Sequence, residues 1–280
     1  MAEITNTVVN YKAYNVHEGD NLQAQVARII GIILPRGFLA AGFSDRGDLL
    51  MIRYSDYKKD LPEWVPDFFD HRFAEEPLLM RPDQVMALYI LPDKFLLVPD
   101  QMYDEASASA WIRKIFFIEE SEYLEYYNIQ EEKARYVYAW PAALKGLVNR
   151  YFAHARLLPL PTYQFTQVYK SVTSLQCCVT EDHVSATFHL DRKLQWHQIF
   201  PYGNAEEIVY RLKQACEAHG VVSDDIDIFY TLTHSGLNGL IDKISQYLPN
   251  IRPTEAGVMI TNPDWAATIS LFQRLYTCAS

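Results

Sequence analysis

The sequence predicts an α/β protein built from a duplicated unit, each copy a mixed sheet flanked by helices. Two observations carry that prediction. In the second half, three strands joined by tight hairpins are followed by a helix, a strand and a helix, and the same order recurs less cleanly in the first half. Residues 226–232 form a near-continuous apolar run, the pattern of a central parallel strand covered on both faces.

Residues 1–21 show no strong periodicity and are expected to form an N-terminal arm with a short edge strand over 7–14. Strands follow at 26–34, 38–44 and 49–57, broken at Pro35-Arg36-Gly37 and at Asp45-Arg46-Gly47-Asp48, which makes a three-stranded meander. Asp60-Leu61-Pro62 is a helix-start signal; Val65, Phe68, Phe69 and Phe73 mark the apolar face, and Pro77 ends it. A strand is expected at 85–91 and an extended run at 95–99. Asp104 then caps a helix with Ala108, Trp111, Ile112, Ile115 and Phe116 at helical spacing. Residues 122–129 and 135–140 read as strands. Pro141 opens a helix carrying Leu144, Leu147, Val148, Tyr151 and Phe152, 155–160 is a strand, and 161–174 a helix crossing into the second half.

In the second half, strands are expected at 175–181, 184–190 and 194–202, with Asp191-Arg192-Lys193 as the turn between the last two. Asn204 caps a helix with Glu207 at capping-box spacing; Ile208, Val209, Leu212, Ala215 and Cys216 form its buried stripe and Gly220 ends it. After 226–232, Thr233-His234-Ser235-Gly236 turns into a helix bearing Leu237, Leu240, Ile241, Ile244, Tyr247 and Leu248. Asp264 caps a last helix with Trp265, Ile269, Phe272 and Tyr276 inward. The expected domains are an arm (1–21), a first lobe (22–174) with an insertion near 96–129, and a second lobe (175–280).

Composition excludes several classes of partner. The 280 residues are 49% apolar and 21% charged, an ordinary globular balance. A formal charge of -10 repels a phosphate backbone or an anionic membrane surface, so nucleic acid is not an expected partner. No apolar run approaches the roughly 20 residues of a membrane span, and Met1-Ala2-Glu3 does not begin a secretory signal. Cys177, Cys178, Cys216 and Cys278 have no metal-type spacing, and adjacent strand residues point to opposite faces, which suits a reducing cytoplasm.

Strand-strand-strand-helix-strand-helix with helices on both faces is the plan of the ribonuclease H-like unit, and two such units make the actin-like ATPase fold. The chain resembles that superfamily through 226–253, where an apolar strand runs into Leu232-Thr233-His234-Ser235-Gly236-Leu237-Asn238-Gly239-Leu240 and then a helix. Actin-like proteins of cell division and pilus assembly have a strand there, a Gly-Gly pair and a helix whose start approaches the adenosine. Residues 22–280 as a whole are similar to an uncharacterised bacterial family, a domain of unknown function. Phe95-Leu96-Leu97-Val98-Pro99, Met102-Tyr103-Asp104-Glu105 and Leu275-Tyr276-Thr277-Cys278 are the supporting pieces.

The resemblance implies a nucleotide cleft with three contact places, and this chain departs from the pattern at each. An Asp-x-Gly loop would supply a metal-orienting carboxylate and glycine N–H groups for phosphate. The first such place is Leu34-Pro35-Arg36-Gly37, where Pro35 has no N–H, the aspartate is missing and Arg36 and Gly37 remain as candidates. The second, Thr180-Glu181-Asp182-His183, has the carboxylates Glu181 and Asp182 but no glycine. At the third, His234 and Ser235 stand before Gly236 where the pattern has Gly-Gly. These departures argue against ATP hydrolysis, although magnesium would offset Glu181 and Asp182.

Other chemistry is weaker still. His189 and His197 are expected to face each other across one hairpin; without a third ligand at fixed spacing they read as packing before metal, and a metal-assisted hydrolase through His189, His197 and Asp182 is the outside reading. Ser235 lacks a Gly-x-Ser-x-Gly context. The expectation is therefore a non-catalytic, cytoplasmic actin-like protein with a degenerate nucleotide site, no metal and no cofactor, that holds a protein partner. The resemblance implies this because distant pilus-assembly relatives bind a short peptide of a membrane protein. The alternative is a nucleotide-binding switch or weak ATPase using ATP and magnesium.

Overall fold

The computed structural model describes residues 8–16, 22–57, 60–165, 172–255 and 262–280. The chain forms two compact units, Met1–Leu160 with Leu275–Ser280, and Pro161–Arg274. The expected division is 174/175; it falls at 160/161, because Gln164 is pinned into the second unit, donating from Nε2 to the carbonyls of Gln176 and Ser185 and accepting from the Ser185 hydroxyl at 2.6 Å. The C-terminal residues return to the first unit for an equally local reason. The Tyr89 hydroxyl donates to the Leu275 carbonyl at 2.6 Å, Arg156 to that of Ala279 at 2.8 Å, and the Tyr276 ring stacks on Phe43 at 4.5 Å.

The first unit is centred on the meander β2 (Arg28–Leu34), β3 (Gly37–Phe43) and β4 (Leu49–Tyr57). Its sheet is completed by β1 (Val8–Asn15), antiparallel to β4, by β5 (Val85–Ile90), parallel to β2, and by β9 (Arg156–Pro159), parallel to β5. From Ile29 onward β2 is wholly buried, as is all of β3, which is why both read as continuous apolar runs. β1 is the edge strand expected in the arm; residues 1–7 and 17–21 lie outside the described residues.

Helix α1 (Pro66–Glu75) buries Phe68, Phe69 and Phe73 as the pattern predicts, but starts at Pro66 instead of Pro62. The Trp64 N–H donates to the Pro35 carbonyl at 2.7 Å with Trp64 at φ 60°, and the turn that this enforces delays the helix. Inserted after β5 is a three-stranded antiparallel sheet, β6 (Lys94–Pro99), β7 (Glu122–Ile129) and β8 (Ala134–Pro141), in the order β6-β8-β7. Helix α2 (Glu105–Ile115), capped by Asp104, covers it with Ala108 and Ile112 against Val98 and Val137. Pro141 proves to be the N-cap of α3 (Ala142–Tyr151), not its first residue. Helix α3 packs near α1 through Phe73 and Phe152, whose ring centroids are 5.1 Å apart.

The second unit opens with α4 (Thr162–Phe165); the rest of the helix expected to 174 falls on 166–171, outside the described residues, and on the start of β10. Its meander is β10 (Ser174–Val179), β11 (His183–Leu190) and β12 (Lys193–Pro201). Asp191 and Arg192, at φ 51° and 63°, form a two-residue turn with both central angles positive, the twist that hairpins prefer. Helix α5 (Ala205–Ala218) is capped by Asn204, which accepts from the Glu207 N–H, while the Glu207 carboxylate accepts from Gly203. There follow β13 (Asp227–Leu232), α6 (Asn238–Ser245), the short β14 (Ile251–Pro253) and α7 (Ala266–Ala279). The cap before α7 is Asn262, accepting from the Asp264 N–H, and not Asp264 itself. Leu175, Cys177, Phe188, Ile208, Cys216 and Ile241 share the core.

The order β12-β11-β10-β13-β14 reproduces β4-β3-β2-β5-β9 strand for strand, with β1 added at the edge of the first sheet. The duplication read from the element order is therefore a duplication of topology.

Candidate functional site

In the second unit β10 and β13 run parallel, with Val179 beside Leu232. Parallel pairing brings the carboxyl ends of both strands to the same level, so the β10–β11 turn (Thr180 to Asp182) lies beside the turn that starts at Thr233. The Thr233 N–H donates to the Val179 carbonyl at 3.1 Å and fixes that alignment. Carboxyl ends of parallel strands are where open α/β sheets bind ligands.

The two turns are joined by their own side chains. His234 is buried; its Nδ1 accepts from the Gly236 N–H at 3.1 Å, which leaves the proton on Nε2, 3.0 Å from the Glu181 carboxylate. The Thr180 hydroxyl and N–H close the hairpin turn on His183, and Asp182 lies 3.0 Å from His183 Nδ1. Tyr202, just past β12, donates its hydroxyl to the carbonyls of Thr180 and Glu181 at 2.7 and 3.0 Å. Burial, with the charges of Glu181 and Asp182 adding to it, raises the Tyr202 pKa, so its hydroxyl stays a donor. Ser235 opens a single 3-10 turn, Ser235–Leu237, and neither Gly236 nor Gly37 has a positive φ. Both ring nitrogens of His234 are committed to Gly236 and Glu181.

In the first unit Arg36 and Gly37 stand at the β2–β3 turn. The Pro35 carbonyl accepts from the Trp64 N–H and from the Tyr57 hydroxyl at 2.8 Å. Arg36 forms an ion pair with Glu63 at 2.8 Å and donates from Nε to the Leu61 carbonyl at 3.3 Å. Gly37 begins β3, where a Cβ would approach the Ser55 carbonyl to 3.2 Å. The cation of this turn is thus neutralised by a neighbouring carboxylate of its own unit.

A cavity of about 490 Å³ in the second unit lies between the first turn of α5 and α6, lined by Tyr202, Asn204, Leu240, Lys243 and Tyr247 among others. Tyr202 connects it to the hairpin turn. Tyr202 is not among the residues expected at the site; its signal in the sequence is an aromatic directly after a hairpin strand and before a helix cap.

The histidine pair is placed differently from expectation. The two-residue turn after Leu190 and a bulge at Gln195 set Thr187 opposite His197 and Leu194 opposite His189. Thr187 Oγ1 and His197 Nδ1 are 2.8 Å apart, and His189 Nε2 is 3.4 Å from the Phe165 carbonyl. Both rings are buried. Burial, and secondarily the neighbouring His189, lowers the His197 pKa to about 3; burial lowers that of His189 as well.

A family model described as "Protein of unknown function (DUF3822)" matches residues 39–251. No curated protein matches the chain. Among solved structures, a Bacteroides thetaiotaomicron protein with actin-like ATPase fold and unknown function is similar at a TM-score of 0.72 and 14% identity, covering 94% of this chain and 100% of that one. A chain of the PilM-PilN type IV pilus biogenesis complex is similar at a TM-score of 0.60 and 11% identity, covering 91% of this chain and 99% of that one. The fold is the actin-like ATPase fold. Among the described residues no helix is long and apolar enough to cross a membrane.

Proposed function

The chain belongs to the DUF3822 family, and from that premise we propose that it is a non-catalytic actin-like protein whose two ribonuclease H-like lobes serve to hold another protein. The observation that carries this reading is the Glu181–His234 pair. At the place where the resemblance would seat phosphates, the second unit spends its own carboxylate on its own histidine, and the Gly236 N–H is taken by the same ring. The Gly236 N–H is thereby withheld from a polyphosphate, and Glu181 and Asp182 would repel one. Arg36, the cation of the other turn, is engaged by Glu63.

Fold analogy adds limited support: a similar chain comes from a PilM-PilN type IV pilus biogenesis complex, so this architecture serves in protein assemblies elsewhere. Four free cysteines, three of them buried, suit a reducing cytoplasm.

One observation favours the second reading, a nucleotide-binding switch: the cavity between α5 and α6, which adjoins the helix expected on the adenosine side and carries Lys243 and Tyr247. The test is a thermal-shift titration with ATP, ADP and GTP, with and without magnesium. The scaffold reading expects no shift at millimolar nucleotide. A shift of several degrees, lost in Lys243→Ala, would establish the switch instead.

A further inference from the structure

The edges of the three sheets differ in how they are protected. Exposed edge strands pair readily with other chains, and folded proteins blunt them with lysine, proline, bulges or shortness. β1 carries a bulge at Val9 and Lys12. β9 has 4 residues and ends on Pro159; β14 has 3 and ends on Pro253. β12 carries the Gln195 bulge and runs from Lys193 to Pro201, and β6 from Lys94 to Pro99. β7 has none of these devices. It is 8 residues long, contains neither lysine nor proline, and pairs with β8 in unbroken register.

The surroundings of β7 match a binding edge. Tyr123 and Tyr126 on the strand, and Ile115 and Phe117 just before it, are exposed, Phe117 to 80%. Both tyrosines are held from within: Lys145 Nζ sits 3.3 Å over the Tyr123 ring, and Arg135 lies 5.7 Å from that of Tyr126. Such held rings give contact area at little entropic cost. Residues 115–132 contain Glu119, Glu120, Glu122, Glu125, Glu131 and Glu132 and no lysine or arginine. Lys94 engages Glu122 and Lys145 engages Glu125, so the remaining acidic charge sits at the two ends of the strand.

The geometry points to β7 as a docking edge that takes, as an added strand, an extended segment of another protein with alternating apolar side chains and Lys or Arg at its ends. This rests on the reading that the protein works by holding a protein partner. A second copy of this chain is the poorer occupant, because β7 against β7 in either direction sets acidic ends against acidic ends. Main-chain hydrogen bonds would supply affinity, Tyr123 and Tyr126 the side-chain contacts, and the flanking glutamates the charge match.

The test is an anisotropy titration of the full chain with a labelled peptide, KRVTVTVTVTKR, against a proline-interrupted version, KRVPVTVPVTKR, and an acid-ended one, EEVTVTVTVTEE, with hydrogen exchange on the first complex. Saturable binding is expected only for the first peptide, at least about tenfold tighter than either control, with slowed exchange confined to β7. Tyr126→Lys and Asn128→Lys, two edge lysines of the kind nature uses, should each weaken it about tenfold. Tyr210→Lys, the same charge change on an exposed tyrosine of α5, should leave it within about twofold. Equal binding of the proline-interrupted peptide, protection outside β7, no binding at millimolar peptide, or a dimer that Tyr126→Lys splits would each overturn the proposal. A nucleotide-induced thermal shift would overturn the scaffold reading and leave these results in place.

Discussion

His234 Nε2 donates to the Glu181 carboxylate at 3.0 Å, joining two turns that lie 53 residues apart in sequence. The bond exists because β10 and β13 are parallel neighbours whose carboxyl ends coincide. It ties the Glu181 turn to the His234 turn within the second unit.

Glu181→Ala should leave the buried Nε2–H of His234 without its acceptor and destabilise the protein by about 1–2 kcal/mol. Glu181→Gln, which keeps an acceptor oxygen, should cost less. A double-mutant cycle with His234→Ala in urea is the measurement; additive single changes would show that the two residues are not coupled.

Gly47 stands in the β3–β4 turn at φ 85°, and a Cβ there would come within 3.0 Å of the Tyr276 ring. Tyr276 is itself fixed, stacked on Phe43 and hydrogen-bonded by Arg28. Gly47→Ala should therefore cost about 1–2 kcal/mol, from left-handed strain plus crowding. Chemical denaturation would measure it, and an unchanged midpoint would contradict the packing described.

Acid should weaken the protein through its buried histidines. His197 titrates near 3 when folded and near 6.5 when unfolded, and His189 is lowered in the same sense. Between those values the unfolded chain binds more protons than the folded one, so stability is complete above about pH 6.5 and is lost as pH falls. The slope is at most about 1.4 kcal/mol per pH unit for each histidine. Urea unfolding at pH 7.5, 5.5 and 4.5 should show this loss, and His197→Asn should be less sensitive to acid than the parent.

Thiol reagents should distinguish the cysteines. Cys177, Cys178 and Cys216 are buried, and burial raises each thiol, Cys216 to about 11. Cys278 is half-buried. Under native conditions Cys278 should react first and Cys278→Ser should abolish the fast phase, with the other three reacting only on unfolding.

Much of the architecture was legible because its signals are local. Hydrophobic period, the Asn204 cap, the Asp104 cap and the turn at Asp191-Arg192, one residue shorter than the expected Asp191-Arg192-Lys193, each depend on a few consecutive residues, and their order suffices to reveal the duplicated plan. Features that depend on distant residues were missed or displaced. β14 is too short to carry a period, and it exists because Ile251 to Pro253 find β13 beside them. The start of α1 moved because Trp64 bonds to Pro35, and the histidines do not meet because the two-residue turn after Leu190 sets Leu194, not His197, opposite His189.

The candidate site divides in the same way. That Thr180-Glu181-Asp182-His183 contains no glycine, that His234 and Ser235 stand before Gly236 where the resemblance has Gly-Gly, and that a proline precedes Arg36 are properties of the sequence alone and already weaken the case for phosphate chemistry. That Glu181 meets His234, that Tyr202 holds the hairpin turn, and that β7 is left as the unguarded edge were decided by tertiary structure. Local propensity acts over a turn of helix or a pair of strand residues, whereas strand order and register are chosen by burial of the whole sheet.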